Sequence, residues 1–489
     1  MDVSRKRAKA CPDDGIADGG AKSPTAAQQI AELQAELERC KTEHDQMVSD
    51  LKGSYSGALE WAYSVETIPR DYWLEKGHTE DYVGAMDFFL EQFKHTIKKL
   101  RTGDEVCGRI GINIAFRLQD EEGCRVNGNH DDALMPYWSE LANAIIHWSE
   151  YHANRETLGL LFYCIELPDA VLDVLRPAIK QSKVSHVGFI DDGSSRTWKL
   201  AKIMEDIIQT NLTVTRVGFT SVMFSNEEWK TMCNAIRIRN AGQASNMQLF
   251  QLSDSFDDGM NTEVLKEILT STTASGDKEV VVRLDGNRMS SQEAPIIAEF
   301  LASNPSIAEL GLASNRFDDA DAAMLANSLS SNTNLRSLVA GGNDAIKLNG
   351  RLAFLRALFD VTSLVSCAAS NHTCQVQGLE QDISALNEYD DFSINKWEKV
   401  FTMLALSSED SFINTALLKD VPVSLMPVLL DQADAQIEEG NSRVTDLYLE
   451  LTGTKRNQRH DDWDNSEQTR KISCVFELVR SWVVPSLYV

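Results

Sequence analysis

The amino-acid sequence predicts an α/β solenoid, in which short strand-and-helix units stack into one curved array. The strand-like positions between residues 279 and 345 recur with a period of 28 residues. The segments between the strands share this period, so that Ala294 and Leu301 recur as Ala322 and Leu329. A unit this short cannot bury its own apolar strand edge and helix face. Stacked neighbours must therefore supply the burial.

The repeated strand motif has the spacing LxxLxLxxNxF. Its clearest copy is formed by Ile307, Leu310, Leu312, Asn315 and Phe317, the next by Leu335, Leu338, Ala340, Asn343 and Ala345, and the preceding one by Val282, Leu284, Asn287 and Met289. Asparagine suits the bend after each strand, because its amide can pair with backbone groups that the turn leaves open. The motif resembles the ribonuclease-inhibitor-like (RNI-like) leucine-rich repeats. This resemblance implies parallel strands on a concave face and helices on a convex face.

Degenerate copies of the motif extend the array in both directions. Upstream strands are predicted near Leu160, Val184, Val214 and Met247, and residues 109–116 alternate like a further strand. Downstream, Val361 and Leu364 predict one more unit, in which the array ends. We therefore assign residues 109–380 to the solenoid.

Helical segments are predicted on both flanks of the array. Residues 54–108 are rich in aromatic side chains and are interpreted as an N-terminal cap that shields the first repeat. Residues 381–489 lose the repeat and form a C-terminal helical cap or appendage, with helices predicted at 395–406, 412–437 and 466–484.

The N-terminus divides into a tail and a helix. Residues 1–22 are predicted to be disordered, and Arg5, Lys6, Arg7 and Lys9 resemble a short nuclear-import signal. Residues 23–53 carry a heptad seam formed by Ile30, Leu33, Leu37, Cys40, His44, Met47 and Leu51. Two interpretations remain open: a coiled coil that joins two chains through residues 25–52, or an amphipathic helix packed on its own solenoid.

Composition limits the classes of partner and compartment. The chain has 47 basic and 73 acidic residues and a net charge of −26, which argues against nucleic acid as the main ligand. No apolar run approaches the length that spans a bilayer, so no membrane is expected as a partner. Nine cysteines without paired spacing indicate reduced thiols in an intracellular protein, cytoplasmic or nuclear. The glycosylation triplets at Asn211 and Asn371 are interpreted as chance matches.

Catalytic motifs are missing from the sequence. It has no GxxxxGKS loop, no HExxH and no CxxC, and the close grouping of Cys367, His372 and Cys374 does not have the usual zinc spacing. We therefore predict no catalytic, cofactor or metal site, and a protein that is not an enzyme.

The concave face supplies the candidate binding residues. Positions between the buried strand residues hold Asp191, Arg216, Asp254, Arg283, Asp285, Glu309 and Arg336, interleaved with Gly188, Gly218 and Gly311. Mixed charges beside small residues predict a flat polar lane, which fits an unidentified protein partner better than a small substrate. The alternative is a face that is merely solvated.

The RNI-like resemblance implies a non-catalytic scaffold that binds proteins along this face. It also leaves open a GTPase-activating regulator of the Ran type, which needs a placed arginine such as Arg109 or Arg155. A third hypothesis comes from residues 166–175, which are similar to the opening of an F-box and would indicate a substrate receptor of a ubiquitin ligase. The same segment also fits the helix position of a repeat.

Overall fold

The computed structural model describes residues 34–43, 47, 65–103, 110–119, 125–153, 156–190, 198–242, 247–274, 280–379, 383–407 and 442–452. The chain divides into two compact units, Met1–Ser64 and Val65–Val489. In the first unit residues 34–43 form an exposed helix, as the heptad pattern predicts. Leu37, Cys40 and Met47 of the seam are exposed. The seam residues Ile30, Leu33, His44 and Leu51 and the basic cluster at Arg5, Lys6, Arg7 and Lys9 lie outside the described residues.

The described residues of the second unit are built on a parallel sheet of nine strands whose spatial order follows the chain. These strands are β1 (Ile110–Ala115), β4 (Leu158–Tyr163), β5 (Val184–Ile190), β6 (Arg216–Thr220), β7 (Leu249–Ser253), β8 (Val281–Arg283), β9 (Glu309–Gly311), β10 (Ser337–Val339) and β11 (Gln375–Gln377). Two further strands, β2 (Leu118–Gln119) and β3 (Arg125–Val126), form a small antiparallel ribbon. Sequential parallel order is what a solenoid of strand-and-helix units requires.

Helices alternate with the strands and cover one face of the sheet. They are α1 (Arg70–Glu75), α2 (Glu80–Thr102), α3 (Met135–Tyr151), α4 (Asp169–Gln181), α5 (Trp198–Thr210), α6 (Asn226–Ala241), α7 (Thr262–Thr272), α8 (Ala294–Ala302), α9 (Asp319–Leu329), α10 (Leu348–Leu358), α11 (Leu364–Ala369), α12 (Phe392–Ser407) and α13 (Ser442–Thr452). The predicted leucine-rich-repeat solenoid, with strands on the concave face and helices on the convex face, is therefore confirmed.

One continuous core lies between the sheet and the helices. Phe162, Phe189 and Phe219 occupy the same position in successive strands, and their ring centroids are 5.3 and 6.0 Å apart. Each ring is at most 5% exposed. The repeats thus bury their apolar faces against each other.

The asparagine that follows each regular strand binds the preceding repeat. The side-chain nitrogen of Asn315 donates to the Leu284 carbonyl (3.1 Å), and its oxygen accepts from the Met289 N–H (3.0 Å). Asn287 and Asn343 make the equivalent bonds to their own preceding repeats. All three side chains are at most 6% exposed. The predicted role of these asparagines at the bend is confirmed, and the bonds also join neighbouring repeats.

The two glycosylation triplets lie in a second set of buried asparagines, after the helices. The Asn211 side-chain nitrogen donates to the carbonyls of Ile179 (2.6 Å) and Ser182 (2.9 Å). The nitrogen of Asn371 is likewise occupied by two backbone carbonyls. Because hydrogen bonds occupy both side-chain nitrogens, neither can carry a glycan in this fold. This agrees with the interpretation of the two triplets as chance matches to the glycosylation motif.

The prediction of a repeat unit that begins near Val361 and Leu364 is wrong. Residues 364–369 form helix α11, and the last strand in the part of the chain that the structure describes is β11. The Ser363 side chain accepts from the Ser366 N–H (3.0 Å), so this segment begins a helix where an apolar strand was expected. The array therefore continues for one more strand, beyond an inserted helix.

The flanking segments agree in part with the predictions. Helix α12 confirms the helix predicted at 395–406, whereas α13 falls in a stretch where no helix was predicted. Helix α13 is attached to the array by an ion pair between Glu450 and Arg351. The helices predicted at 412–437 and 466–484 lie outside the described residues.

The segment that is similar to an F-box is a helix of the array. Helix α4 lies between strands β4 and β5 and buries Val171, Leu172 and Leu175. An apolar face turned into the solenoid core is not available to an adaptor protein. The segment is therefore a helix of the repeat array, and this is the interpretation that fits its place in the sequence.

Candidate functional site on the concave face

The parallel register aligns the open side chains of the sheet in rows. Along one row lie Leu161, Gly188, Gly218, Gln251, Arg283, Gly311 and Val339. A neighbouring row contains His186, Arg216, Leu249, Val281, Glu309 and Ser337. Because successive residues of a strand alternate between the two faces, both rows face away from the helices.

Four of the predicted residues come together in what we call the acidic cluster: Asp254, Arg283, Asp285 and Glu309. The Arg283 Nε donates to Glu309 Oε1 (2.9 Å) on the adjacent strand. Asp285 Oδ1 accepts from the Ala313 N–H (2.9 Å), which fixes that carboxylate at the end of the sheet. The cluster thus holds three carboxylates and one guanidinium, of which only Glu309 forms an ion pair with Arg283.

Burial is the main cause of the pKa shifts in the acidic cluster. It raises the pKa of Asp254 and of Asp285. For Asp285, the Ala313 N–H and the Arg283 charge lower the pKa, while Glu309 and Asp254 raise it further. These carboxylates therefore repel each other, and a positively charged group placed among them would be stabilised.

Glycines on neighbouring repeats make room for these carboxylates. A Cβ on Gly286 would stand 2.0 Å from Asp254 Oδ1, and one on Gly311 would stand 2.8 Å from Asp285 Oδ1. Gly286 also has a positive φ of 71°, a conformation that favours glycine. Each of these glycines thus lies against a carboxylate of the preceding repeat.

The concave face differs from the flat lane of small residues that the sequence predicts. Gly188, Gly218 and Gly311 are all buried. A Cβ on Gly188 would stand 2.5 Å from the Leu161 side chain, so this glycine lies beneath a leucine of the neighbouring strand. The surface is consequently formed by the long side chains beside the glycines.

The remaining predicted residues are at other positions along the sheet or outside the described residues. Arg216 is half-buried beside His186, whose pKa is lowered by burial and by the Arg216 charge. Arg336 is exposed but precedes β10, and the register pairs Glu309 with Ser337 instead. Asp191 lies outside the described residues, as do Arg109 and Arg155, the two arginines considered for GTPase activation.

Sequence reasoning missed a cavity at the N-terminal end of the sheet. It has a volume of about 580 Å³ and is lined by Asn113, Ala115, Phe116, Arg117, Leu118, Gln119, Arg125, Tyr163 and Cys164. Its residues come from β1, β4 and the β2–β3 ribbon. No motif marked it, because the ribbon that forms one wall interrupts the repeat pattern.

Cys367, His372 and Cys374 pack beside a buried lysine. Burial raises the pKa of both thiols to about 12 and lowers the pKa of His372 to about 3. The Lys399 Nζ is 3.3 Å from His372 Nδ1. Across the part of the chain that the structure describes, no cluster of three His, Cys, Asp or Glu residues has a geometry that holds a metal ion. Over that same part, no helix is long and apolar enough to cross a membrane.

Comparison with known proteins identifies no family. No protein-family model matches the chain, and no curated protein matches it. Among solved structures, a chain from the crystal structure of the Rad7 and Elc1 complex in yeast is similar, with a TM-score of 0.27 and 10% identity. The match covers 68% of this chain and 96% of that chain. At this TM-score the match carries no argument about function, and the fold class rests on the strand register and helix order described above.

Proposed function

We propose that this chain is a non-catalytic intracellular scaffold of the RNI-like kind, which binds a protein partner along its concave face. The acidic cluster carries the proposal. Its charged side chains come from three successive repeats: Arg283 and Glu309 lie on the sheet face that is not covered by helices, and Asp254 and Asp285 follow their strands. Such a surface suits recognition over a wide area.

The dimensions of the sheet limit the area over which a partner can contact it. Nine strands have eight spacings of about 4.8 Å, so the row is about 38 Å long. The strands average between four and five residues, so the sheet is about 15 Å wide and offers roughly 600 Å² of open surface. A stable interface buries about 800 Å² on each partner. The partner must therefore also contact the turns that follow the strands, where Asp254, Asp257 and Arg288 lie.

The charge of the acidic cluster indicates a basic partner surface. Ionised, three carboxylates and one guanidinium carry a net charge of −2, on a chain whose total is −26. Opposite charge accelerates association and excludes acidic competitors. Binding should accordingly weaken as salt is added, because exposed charges are screened beyond about 8–10 Å at physiological ionic strength.

A neutralised variant tests the proposal. Asp254→Asn/Asp285→Asn/Glu309→Gln removes three charges with little change of shape. Proteins captured by the full-length chain from cell extract would be quantified against wild type by mass spectrometry. The expected result is at least a tenfold loss of a basic partner.

The matched control is Glu75→Gln/Glu91→Gln/Glu299→Gln, which removes the same number of charges from exposed positions on helices. This control should retain the partner. If the control loses the partner equally, overall charge rather than the concave face drives binding. If neither variant loses a partner, the proposal is refuted.

A further inference from the structure

The cavity at the N-terminal end of the sheet has an apolar floor. Asn113 and Ala115 of β1 pair with Leu161 and Tyr163 of β4, so this floor continues the rows of the concave face. Phe116 and Cys164 are buried beneath it. Its volume of about 580 Å³ lies within the usual range of ligand pockets.

Two arginines stand at the rim of this apolar floor. Gln119 pairs with Arg125 across the β2–β3 ribbon, and Arg117 precedes Gln119 by two residues. Residues that pair directly or are two apart share one face of a ribbon. Arg117, Gln119 and Arg125 are all exposed on that face.

These guanidinium groups have no carboxylate partner among the described residues. By contrast, Arg70, Arg176 and Arg283 are each paired with Asp or Glu. The sequence between β2 and β3 contains Asp120, Glu121 and Glu122, so the site is defined by the two guanidinium groups that line the cavity and not by the net charge of the ribbon. Planar guanidinium groups bind carboxylates through paired hydrogen bonds.

We propose that this cavity binds an acidic peptide segment of the partner, with an apolar side chain in the cavity and flanking carboxylates on Arg117 and Arg125. The inference rests on the proposed scaffold function and names a second contact for it. The acidic cluster takes a basic surface at β7–β9, whereas the cavity takes an acidic segment at β1 and β4. Together the two sites fix the direction in which the partner lies along the sheet.

A short peptide tests the cavity directly. Fluorescein-labelled Asp-Asp-Phe-Leu-Asp-Asp would be titrated with the full-length chain, and binding would be followed by fluorescence polarisation. We expect saturable binding below 1 mM. Replacing every Asp by Lys should weaken peptide binding at least tenfold, because the carboxylates that bind Arg117 and Arg125 are lost. Replacing Phe-Leu by Ser-Ser should weaken it to a similar extent, because no apolar side chain is left to enter the cavity.

Variants of the chain locate the binding. Arg117→Ser/Arg125→Ser should weaken peptide binding at least tenfold. Arg356→Ser/Lys347→Ser is the matched control, since it also removes two positive charges from exposed positions without an ion pair among the described residues, but at helix α10. Equal melting temperatures would show that the variants remain folded. Equal binding by both variants, or no binding by wild type at 1 mM, would overturn the assignment.

Dodecanoate distinguishes a peptide site from a site for small amphiphilic acids, which share its chemistry. If dodecanoate binds more tightly than the peptide and displaces it, the assignment to a protein segment is wrong. Loss of peptide binding with intact capture of the basic partner would refute this inference alone. Intact peptide binding with capture that is insensitive to the acidic cluster would refute the proposed function alone.

Discussion

Lys399 is fully buried where α12 meets the end of the array. Its Nζ donates to Asn387 Oδ1 (2.6 Å) and to the carbonyls of Leu358 (2.8 Å) and Asn371 (3.1 Å). Burial lowers its pKa from 10.5 to about 7. Between these two values the unfolded chain binds a proton that the folded chain does not. The free energy of unfolding should therefore increase as the pH rises from about 7 to about 9. Above pH 9 the buried Cys367 and Cys374 thiols oppose the increase, because their raised pKa keeps them protonated in the folded chain while they ionise in the unfolded chain.

Urea unfolding followed by circular dichroism at several pH values checks this dependence. In Lys399→Met the increase with pH should disappear. The variant should also lose roughly 1–3 kcal/mol at pH 9, because the acceptors around the amine are left unpaired. Lys347→Met, at an exposed position, should keep the wild-type slope. Identical slopes in all three proteins would contradict the prediction.

Gly286 is a second residue at which a neighbouring side chain limits the possible substitutions. Gly286→Ala combines a positive φ of 71° with a Cβ that would stand 2.0 Å from Asp254 Oδ1. We expect a loss of about 2 kcal/mol of stability, part of which should be regained in the double variant with Asp254→Gly. Gly218→Ala is the control, since its nearest neighbour would be 3.8 Å away. A loss that is the same with or without Asp254 would show that strain alone is responsible.

At the scale of the element, the asparagine bonds determine how strongly neighbouring repeats are joined. Asn315→Ala leaves the Leu284 carbonyl and the Met289 N–H without partners in a buried site, at a cost of about 2–4 kcal/mol. Hydrogen exchange measured by mass spectrometry should increase in the repeats of β8 and β9 together. Asn327→Ala, exposed on α9, should leave exchange unchanged. An increase confined to β9 would mean that the bond to the preceding repeat contributes little.

The elements that the sequence predicted are those whose side chains repeat. Period and alternation located most strands, because each buried Leu, Val or Phe must recur at the same place for the core to continue. Helix α11 and strand β11 escaped prediction, because Ser363 starts a helix through a local hydrogen bond that carries no periodicity. The acidic cluster was found residue by residue through alternation. The contacts among the residues of the acidic cluster and the cavity were not predicted, because both depend on how strands distant in sequence align.

At the scale of the whole molecule, we propose that the heptads predicted in residues 25–52 join two arrays. We expect the full-length chain to be a dimer in size-exclusion chromatography with light scattering. A version that lacks residues 1–52 should be a monomer, because it has lost the seam. Two linked arrays would bind a repeated partner with higher avidity than one. Two monomers would instead assign the helix at 34–43 to a cap or to a partner-binding arm.

The direction of the asparagine bonds has a consequence for synthesis. Asn287, Asn315 and Asn343 each reach back to the repeat made before their own. A ribosome produces the chain from its N-terminus, so every acceptor carbonyl leaves the exit tunnel ahead of its donor. Each new repeat thus finds a finished surface on which to dock, and the array can grow in step with translation. Nascent chains arrested one repeat apart should then gain protease resistance in equal steps, whereas a single late step would indicate that folding awaits the C-terminal cap.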